Sequence, residues 1–146
     1  MYNFFMINKS LPIIASAAFM YAAGAGIFSG IRLLVSRTFL SFHQQAVGIQ
    51  WNEIPERTRV LILALMRVGG MGALVIGVDA FVISFPYFFG INHHLALILS
   101  LCVVAYWCAI FSITYSVHRK TNAGTPFRSS FSVFFISLIG IIMLAL

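Results

Sequence analysis

Residues 60–85 read VLILALMRVGGMGALVIGVDAFVISF, an apolar run interrupted by two charged residues, Arg67 and Asp79. A helix crosses the roughly 30 Å hydrocarbon core of a membrane with about 20 mostly apolar residues. The run is long enough for that, and its apolar residues do not alternate with polar ones as they would in a membrane-spanning β-strand. We therefore predict a transmembrane helix over residues 60–85.

The rest of the chain has the same character. Of its 146 residues, 61% are apolar and 8% are charged, whereas a water-soluble domain has about 45–50% apolar and about 25% charged residues. This composition excludes a soluble globule and a disordered chain, and the two cysteines exclude a disulfide-rich scaffold. Residues 11–35, 95–117 and 130–146 form three further apolar runs. The predicted fold class is all-α, an integral membrane four-helix bundle that forms a single transmembrane domain over residues 1–146.

The first run has an alternative interpretation. Residues 11–20, followed by Ala23, Gly24 and Ala25, have the pattern of a signal peptide with a small-residue cleavage site. Against this, Lys9 is the single cation before the run, and the apolar residues continue past the candidate site to Val35. We predict that the first helix is retained.

The connection between the first two runs predicts a short interfacial amphipathic helix over residues 38–51. Its apolar residues Phe39, Phe42, Ala46 and Ile49 recur at spacings of three and four, which places them on one face of a helix. Such a helix lies in the membrane surface with its apolar side toward the lipid.

The cations are concentrated in and around two of the three connections, and residues 86–94, the second connection, contain none. Cytoplasmic loops of membrane proteins carry an excess of Lys and Arg. We therefore predict that the first and third connections are cytoplasmic and that both termini lie outside. Lys9 is then the one cation on the outer side. The same charges predict anionic lipids as partners and require no nucleic acid. They are Arg32, Arg37, Arg57, Arg59, Arg119, Lys120 and Arg128.

Two stripes of small residues indicate where helices touch. Helices in lipid associate through close packing and polar contacts, which favours small residues where they meet. We predict that the two stripes face each other in the closest helix contact of the protein, with homodimerisation through Gly26 and Gly30 as the alternative. The stripes consist of Ala18, Ala22, Gly26 and Gly30 in the first run and of Gly69, Ala73 and Gly77 in the second.

The two charges within the second run need a physical reason. Arg67 and Asp79 are about 18 Å apart along a helix axis, so they cannot pair with each other. We expect Arg67 to reach the cytoplasmic surface and Asp79 to find a partner among Lys9, His93 and His94. Each charge has two interpretations, one in which it sets the depth and packing of the helix and one in which it belongs to a ligand or proton site.

Metal and cofactor sites receive little support from the sequence. His93 and His94, with Asp79 nearby, are weak candidates for a metal site on the outer face, and we expect them to be interfacial. Cys102 and Cys108 lie on different faces of one predicted helix and cannot bond to each other. We predict neither a cofactor nor a metal.

A resemblance rests on three segments: residues 43–51 (HQQAVGIQW), residues 61–70, which include RVGG, and residues 121–126 (TNAGTP). With these segments the chain resembles a largely uncharacterised family of small bacterial four-helix integral membrane proteins. The resemblance covers most of the chain and implies a location in the bacterial inner membrane. It implies no activity.

Three classes of function are compatible with these observations. We favour a non-enzymatic membrane protein with a structural or interaction role, as a homo-oligomer or in a larger membrane complex. The alternative is a transporter of a small solute or ion, or a ligand binder, that uses Asp79 and Arg67. The third class is a membrane enzyme acting on a lipophilic substrate, which requires a pocket lined by Arg32, Arg67 and Arg119.

Overall fold

The structure is a computed structural model that describes residues 2–86 and 89–146, with the side chains of the first helix described from Pro12 onward. Within these residues the chain forms helices and no strand, which confirms the all-α class. Four helices are long and apolar enough to cross a membrane, the first of them from Pro12. The elements are α1 (Tyr2–Val35), α2 (Ser41–Val47), a 3-10 turn (Trp51–Glu53), α3 (Glu56–Ser84), α4 (His93–Thr121) and α5 (Phe127–Ala145).

Local chemistry explains where the helices begin and end. α3 begins at Glu56, ahead of its apolar run, because Pro55 precedes it and a carboxylate is favourable near the positive end of the helix dipole. α4 follows Asn92, whose side chain accepts a hydrogen bond from the Leu95 amide at 2.8 Å. At its other end Asn122 adopts a left-handed φ of 52°, a conformation that terminates helices.

The predicted interfacial helix over residues 38–51 is wrong in its extent. α2 covers only Ser41–Val47, since Gly48 takes a left-handed φ of 69° and its amide donates to the Gln44 carbonyl. The chain then turns back, and the rings of Phe39 and Trp51 meet with centroids 4.9 Å apart. The apolar residues therefore form an aromatic cluster instead of one continuous helical face.

The most extensive helix contact is between α1 and α3. A Cβ built on Gly26 would lie 2.8 Å from the Cα of Gly77 and 2.9 Å from the carbonyl oxygen of Ala73. A Cβ built on Gly30 would lie 2.8 Å from the carbonyl oxygen of Gly70. The two backbones thus touch at positions where only glycine fits.

The composition of this contact differs from the predicted stripes in two places. Gly69 has open space around it, and Gly70 occupies the contact instead, because residues 70, 73 and 77 follow the three-and-four spacing of one helix face. Ala18 faces α5, where a Cβ built on Gly140 would lie 3.0 Å from its Cβ. Gly26 and Gly30 lie against α3 within the chain.

All four long helices contribute to one core. Buried side chains from α1 and α3, among them Phe19, Ala80 and Ile83, contact Val103 and Trp107 of α4 and Val133 of α5. The opposite faces of the same helices are apolar and exposed, with Val68 at 70%, Ile13 at 69% and Phe28 at 68% of their full accessibility. Apolar residues therefore cover both the inside and the outside of the molecule.

The helices define two ends of the molecule. Pro12, Pro86 and His93 lie together at one end, which we call the Pro86 end. At the other, the Gly124 end, the Gly124 amide donates to the Oε1 atom of Gln45 at 2.9 Å, which ties α2 to the turn between α4 and α5.

His43 of α2 lies in an apolar setting at the Gly124 end. Its ring centroid is 5.8 Å from that of Phe39 and 4.1 Å from that of Phe42. Its Nδ1 atom is buried and has no hydrogen-bond partner. Burial lowers the pKa of His43 from its ordinary value of 6.5, because the protonated ring loses hydration there.

We expect Gly26→Ala to destabilise the fold, because its methyl group would overlap the α3 backbone. Overpacking of this kind costs about 1–3 kcal/mol. The matched control is Gly24→Ala, two residues earlier in α1, where a Cβ meets nothing within 4 Å and alanine improves helix propensity. Thermal unfolding in detergent measures both. Equal stability of Gly26→Ala and the wild-type protein would contradict the backbone contact.

Acidification should release α2. Because the folded-state pKa of His43 is lowered, its neutral ring stabilises the docked helix fully above pH 6.5, and that stability is lost as the pH falls through the lowered pKa. Amide hydrogen exchange of Ser41–Val47, corrected for the intrinsic rate, measures the release. His43→Gln should remove the pH dependence of the exchange. His118, which lies at the same end, stays in place in this variant and serves as the internal control. If the variant keeps the wild-type dependence, another group is responsible.

Candidate functional site

A cavity of about 590 Å³ opens at the Pro86 end. It is bounded by the part of α1 that follows Pro12, the end of α3, the start of α4 and the end of α5. Phe19 and Ile83 line the cavity and also belong to the core, so they form its floor. The volume lies within the range of about 300–1,000 Å³ that is typical of small-molecule sites.

Small side chains leave the space open. Ala15 and Ser16 on α1 and Ala96 on α4 line the walls, whereas one turn deeper the same region of α1 carries the large ring of Phe19. Pro12 lacks an amide hydrogen and cannot pair with the carbonyl four residues earlier, which weakens α1 at the mouth of the cavity. Close helix packing deeper in the molecule thus gives way to separated helices at this end.

Three polar side chains lie among the apolar residues that line the cavity, those of Ser16, Ser84 and His93. The hydroxyl of Ser84 donates to the Ala80 carbonyl at 2.8 Å, so its proton is already used within α3. Ser16 makes no hydrogen bond within the described part of the chain. His93 is exposed at the first position of α4, beside His94 at a ring-centroid distance of 6.1 Å.

The described side chains that line the cavity include no Lys, Arg, Asp or Glu. A charge brought into such a setting would lose its hydration without gaining a partner. The cavity is therefore suited to an uncharged, mostly apolar ligand.

Arg67 lies away from the cavity, with its side chain exposed. A Cβ built on Gly70 of α3 would lie 3.0 Å from Leu33 and 3.1 Å from Leu34, near the end of α1. Because α1 and α3 are antiparallel, Arg67 is level with residues 36–37, just beyond the last residue of α1. If α1 ends at a membrane surface, Arg67 lies level with that surface, and its side chain needs no long reach to arrive there.

Asp79 lies on the side of α3 that is turned toward α4. It follows Gly72 by two helical turns, and a Cβ built on Gly72 would lie 3.9 Å from the ring of Tyr106. Asp79 is half-buried and, within the described residues, has neither a hydrogen bond nor an ion pair. The expected pairing with His93 or His94 is therefore not made, and the side chain of Lys9 lies outside the described residues.

The structure does not bring the other charged candidates together in the cavity. Arg32 and Arg119 are exposed in the last turns of α1 and α4. The cavity at the Pro86 end includes neither of them, nor Arg67, so it is not the arginine pocket that the enzyme class requires. Within residues 2–86 and 89–146, no group of three or more His, Cys, Asp and Glu side chains is placed to hold a metal ion.

Sequence reasoning did not identify Ala15, Ser16 and Ala96 as site residues. Ser16 carries a weak signal, as a polar residue within an apolar run, but α1 is apolar on nearly every face and offers no pattern that distinguishes a cavity wall from a lipid-facing side. These small residues form a site only because the ends of four helices leave a space between them.

Comparisons with models of protein families, with curated proteins and with solved structures find no match for this chain. The chemistry of the cavity therefore has to be inferred from its own residues. The resemblance to small bacterial four-helix membrane proteins stays a prediction.

Proposed function

We propose that this chain is a four-span integral membrane protein of the bacterial inner membrane that binds a lipophilic molecule in the cavity at its Pro86 end. The observation that carries the proposal is the cavity itself, about 590 Å³ in volume, which is lined largely by apolar side chains among the described residues. The proposed role is non-enzymatic and consists of binding.

The exposed faces of the helices support the membrane location. Large apolar side chains cover the outside of α1, α3, α4 and α5, including Val68, Leu101 and Phe135. Monomeric soluble proteins rarely expose contiguous apolar patches larger than a few hundred Å². Lipid removes the cost of this exposure, and all backbone polar groups within a spanning helix are satisfied internally.

The distribution of cations supports an orientation. Apart from Lys9, whose side chain is not described, the Lys and Arg residues lie toward the Gly124 end. By the positive-inside rule this end faces the cytoplasm, where the cations attract anionic lipids, and both termini and the cavity face outward.

A membrane supplies the ligand that such a cavity fits. The mouth lies where four spanning helices end, so a lipid chain would enter from the outer leaflet without crossing water. Burial of apolar surface contributes roughly 25 cal/mol per Å² to binding before ordering costs are subtracted. Asp79 and Arg67 are outside this site, so the proposal differs from a transporter built on those two charges.

Filling the cavity tests the proposal. In native mass spectrometry from mild detergent, the wild-type protein should carry a lipophilic adduct. Ala15→Phe places a ring in the cavity and should lower the adduct occupancy about tenfold, which corresponds to ~1.4 kcal/mol. The matched control is Ala17→Phe, two residues along α1, where the side chain is exposed. Equal adduct occupancy in the Ala15→Phe and Ala17→Phe variants would refute the cavity as the binding site.

A second experiment tests the orientation. In a background with Cys102→Ala and Cys108→Ala, single cysteines introduced as Thr121→Cys and His94→Cys report the Gly124 end and the Pro86 end. In intact cells a membrane-impermeant maleimide should label His94→Cys and leave Thr121→Cys unlabelled until the membrane is opened. The reverse pattern would place the Pro86 end in the cytoplasm.

A further inference from the structure

We infer that the cavity selects an uncharged lipid that bears a carbonyl group, with Ser16 on the wall and His93 at the mouth as its hydrogen-bond partners. This inference rests on the proposed function and names the ligand class of the same site. The shared chemistry is a carbonyl oxygen on a long apolar tail, found in the ester of an acylglycerol and in the ring of a prenylated quinone.

Within the described residues the hydroxyl of Ser16 is free, and it faces the cavity. Many serines on the long helices donate to the carbonyl four residues earlier, as Ser100 does at 2.7 Å and Ser137 at 2.8 Å, whereas Ser29, which does not line the cavity, makes no such bond either. Ser84, the other serine of the cavity, does make this bond. Ser16 lines the cavity and has no such bond in the part of the chain that the structure describes. Ser16 is half-buried, so its O–H group is available as a donor to a molecule in the cavity.

The polar groups of the cavity lie nearer its mouth than the apolar side chains at its floor. α1 passes from Pro12 at the mouth, through Ser16, to Phe19 at the floor, so the donor lies above an apolar pocket. His93 begins α4 at the mouth, and an imidazole donates or accepts a hydrogen bond according to its tautomer. A ligand with its tail at Phe19 therefore places its first polar group beside Ser16 and its outer polar group beside His93.

Among the described side chains that line the cavity, none belongs to Lys, Arg, Asp or Glu. A carboxylate, phosphate or ammonium group would find no counter-ion among these side chains, whereas an ester or quinone carbonyl needs only a donor. An alkane tail without a carbonyl would fill the space and leave Ser16 unpaired.

The test compares two probes that differ in one carbonyl. The delipidated full-length protein is titrated with 1-palmitoylglycerol, an ester, and with 1-O-hexadecylglycerol, the corresponding ether. One net hydrogen bond predicts that the ester binds about threefold to tenfold more tightly. Ser16→Ala should abolish that difference. Ser29→Ala, the same change at another half-buried serine of α1 that does not line the cavity, should retain it.

A short-chain prenylated benzoquinone distinguishes the two sources of the carbonyl. Stronger binding of the quinone than of the ester, with sensitivity to Ser16→Ala, assigns the site to quinones, and the reverse assigns it to acyl lipids. His93→Leu should weaken the preferred carbonyl probe further, because the partner at the mouth is lost.

Two negative results have different meanings. Equal binding of ester and ether to the wild-type protein, still blocked by Ala15→Phe, would overturn the carbonyl selectivity and leave lipid binding in place. If no probe binds, or if Ala15→Phe binds every probe as the wild-type protein does, the proposed function fails and the selectivity fails with it.

Discussion

The contact between the backbones of α1 and α3 is the most extensive helix contact and holds the other helices in place. In the lipid environment proposed above, the hydrophobic effect does not drive helices together, so association relies on van der Waals packing and polar contacts at short range. Gly26, Gly30, Gly70 and Gly77 allow the two backbones to touch over several turns. This contact sets the register of α3 against α1 and leaves the first turns of α3 beyond the end of α1.

The cavity is a consequence of the same arrangement. α5 packs on α1 through Gly140, which lies against Ala18 and Phe19, while the contact between α3 and α4 is much less extensive. The cavity lies beyond Phe19 and Ile83, between the helix ends that carry Ala15, Ser16 and Ala96. This position, at one end of the helices, suits the lipid-binding role proposed above.

The Gly124 end is organised differently from the Pro86 end. There the Gln45 side chain binds the turn at Gly124, and the Thr125 hydroxyl donates to the Thr114 carbonyl at 3.0 Å. His118 adds a hydrogen bond of 2.8 Å between its Nδ1 atom and the Ala123 carbonyl. Polar contacts close this basic end, whereas the Pro86 end contains the largely apolar cavity.

The all-α class and the four long apolar helices follow from the amino-acid sequence, because length and composition are properties of each segment alone. Small residues at a helical spacing also predicted close packing of α1 on α3. That Gly70 and not Gly69 lies in that contact, and that Gly48 ends α2 early, became clear only from the folded chain. The folded chain was also needed to place Arg67 beyond the end of α1, to show Asp79 without a partner among the described residues, and to reveal the cavity at Ser16. Each depends on the rotation and register of one helix against another, which a helix apolar on nearly every face does not encode in its own pattern.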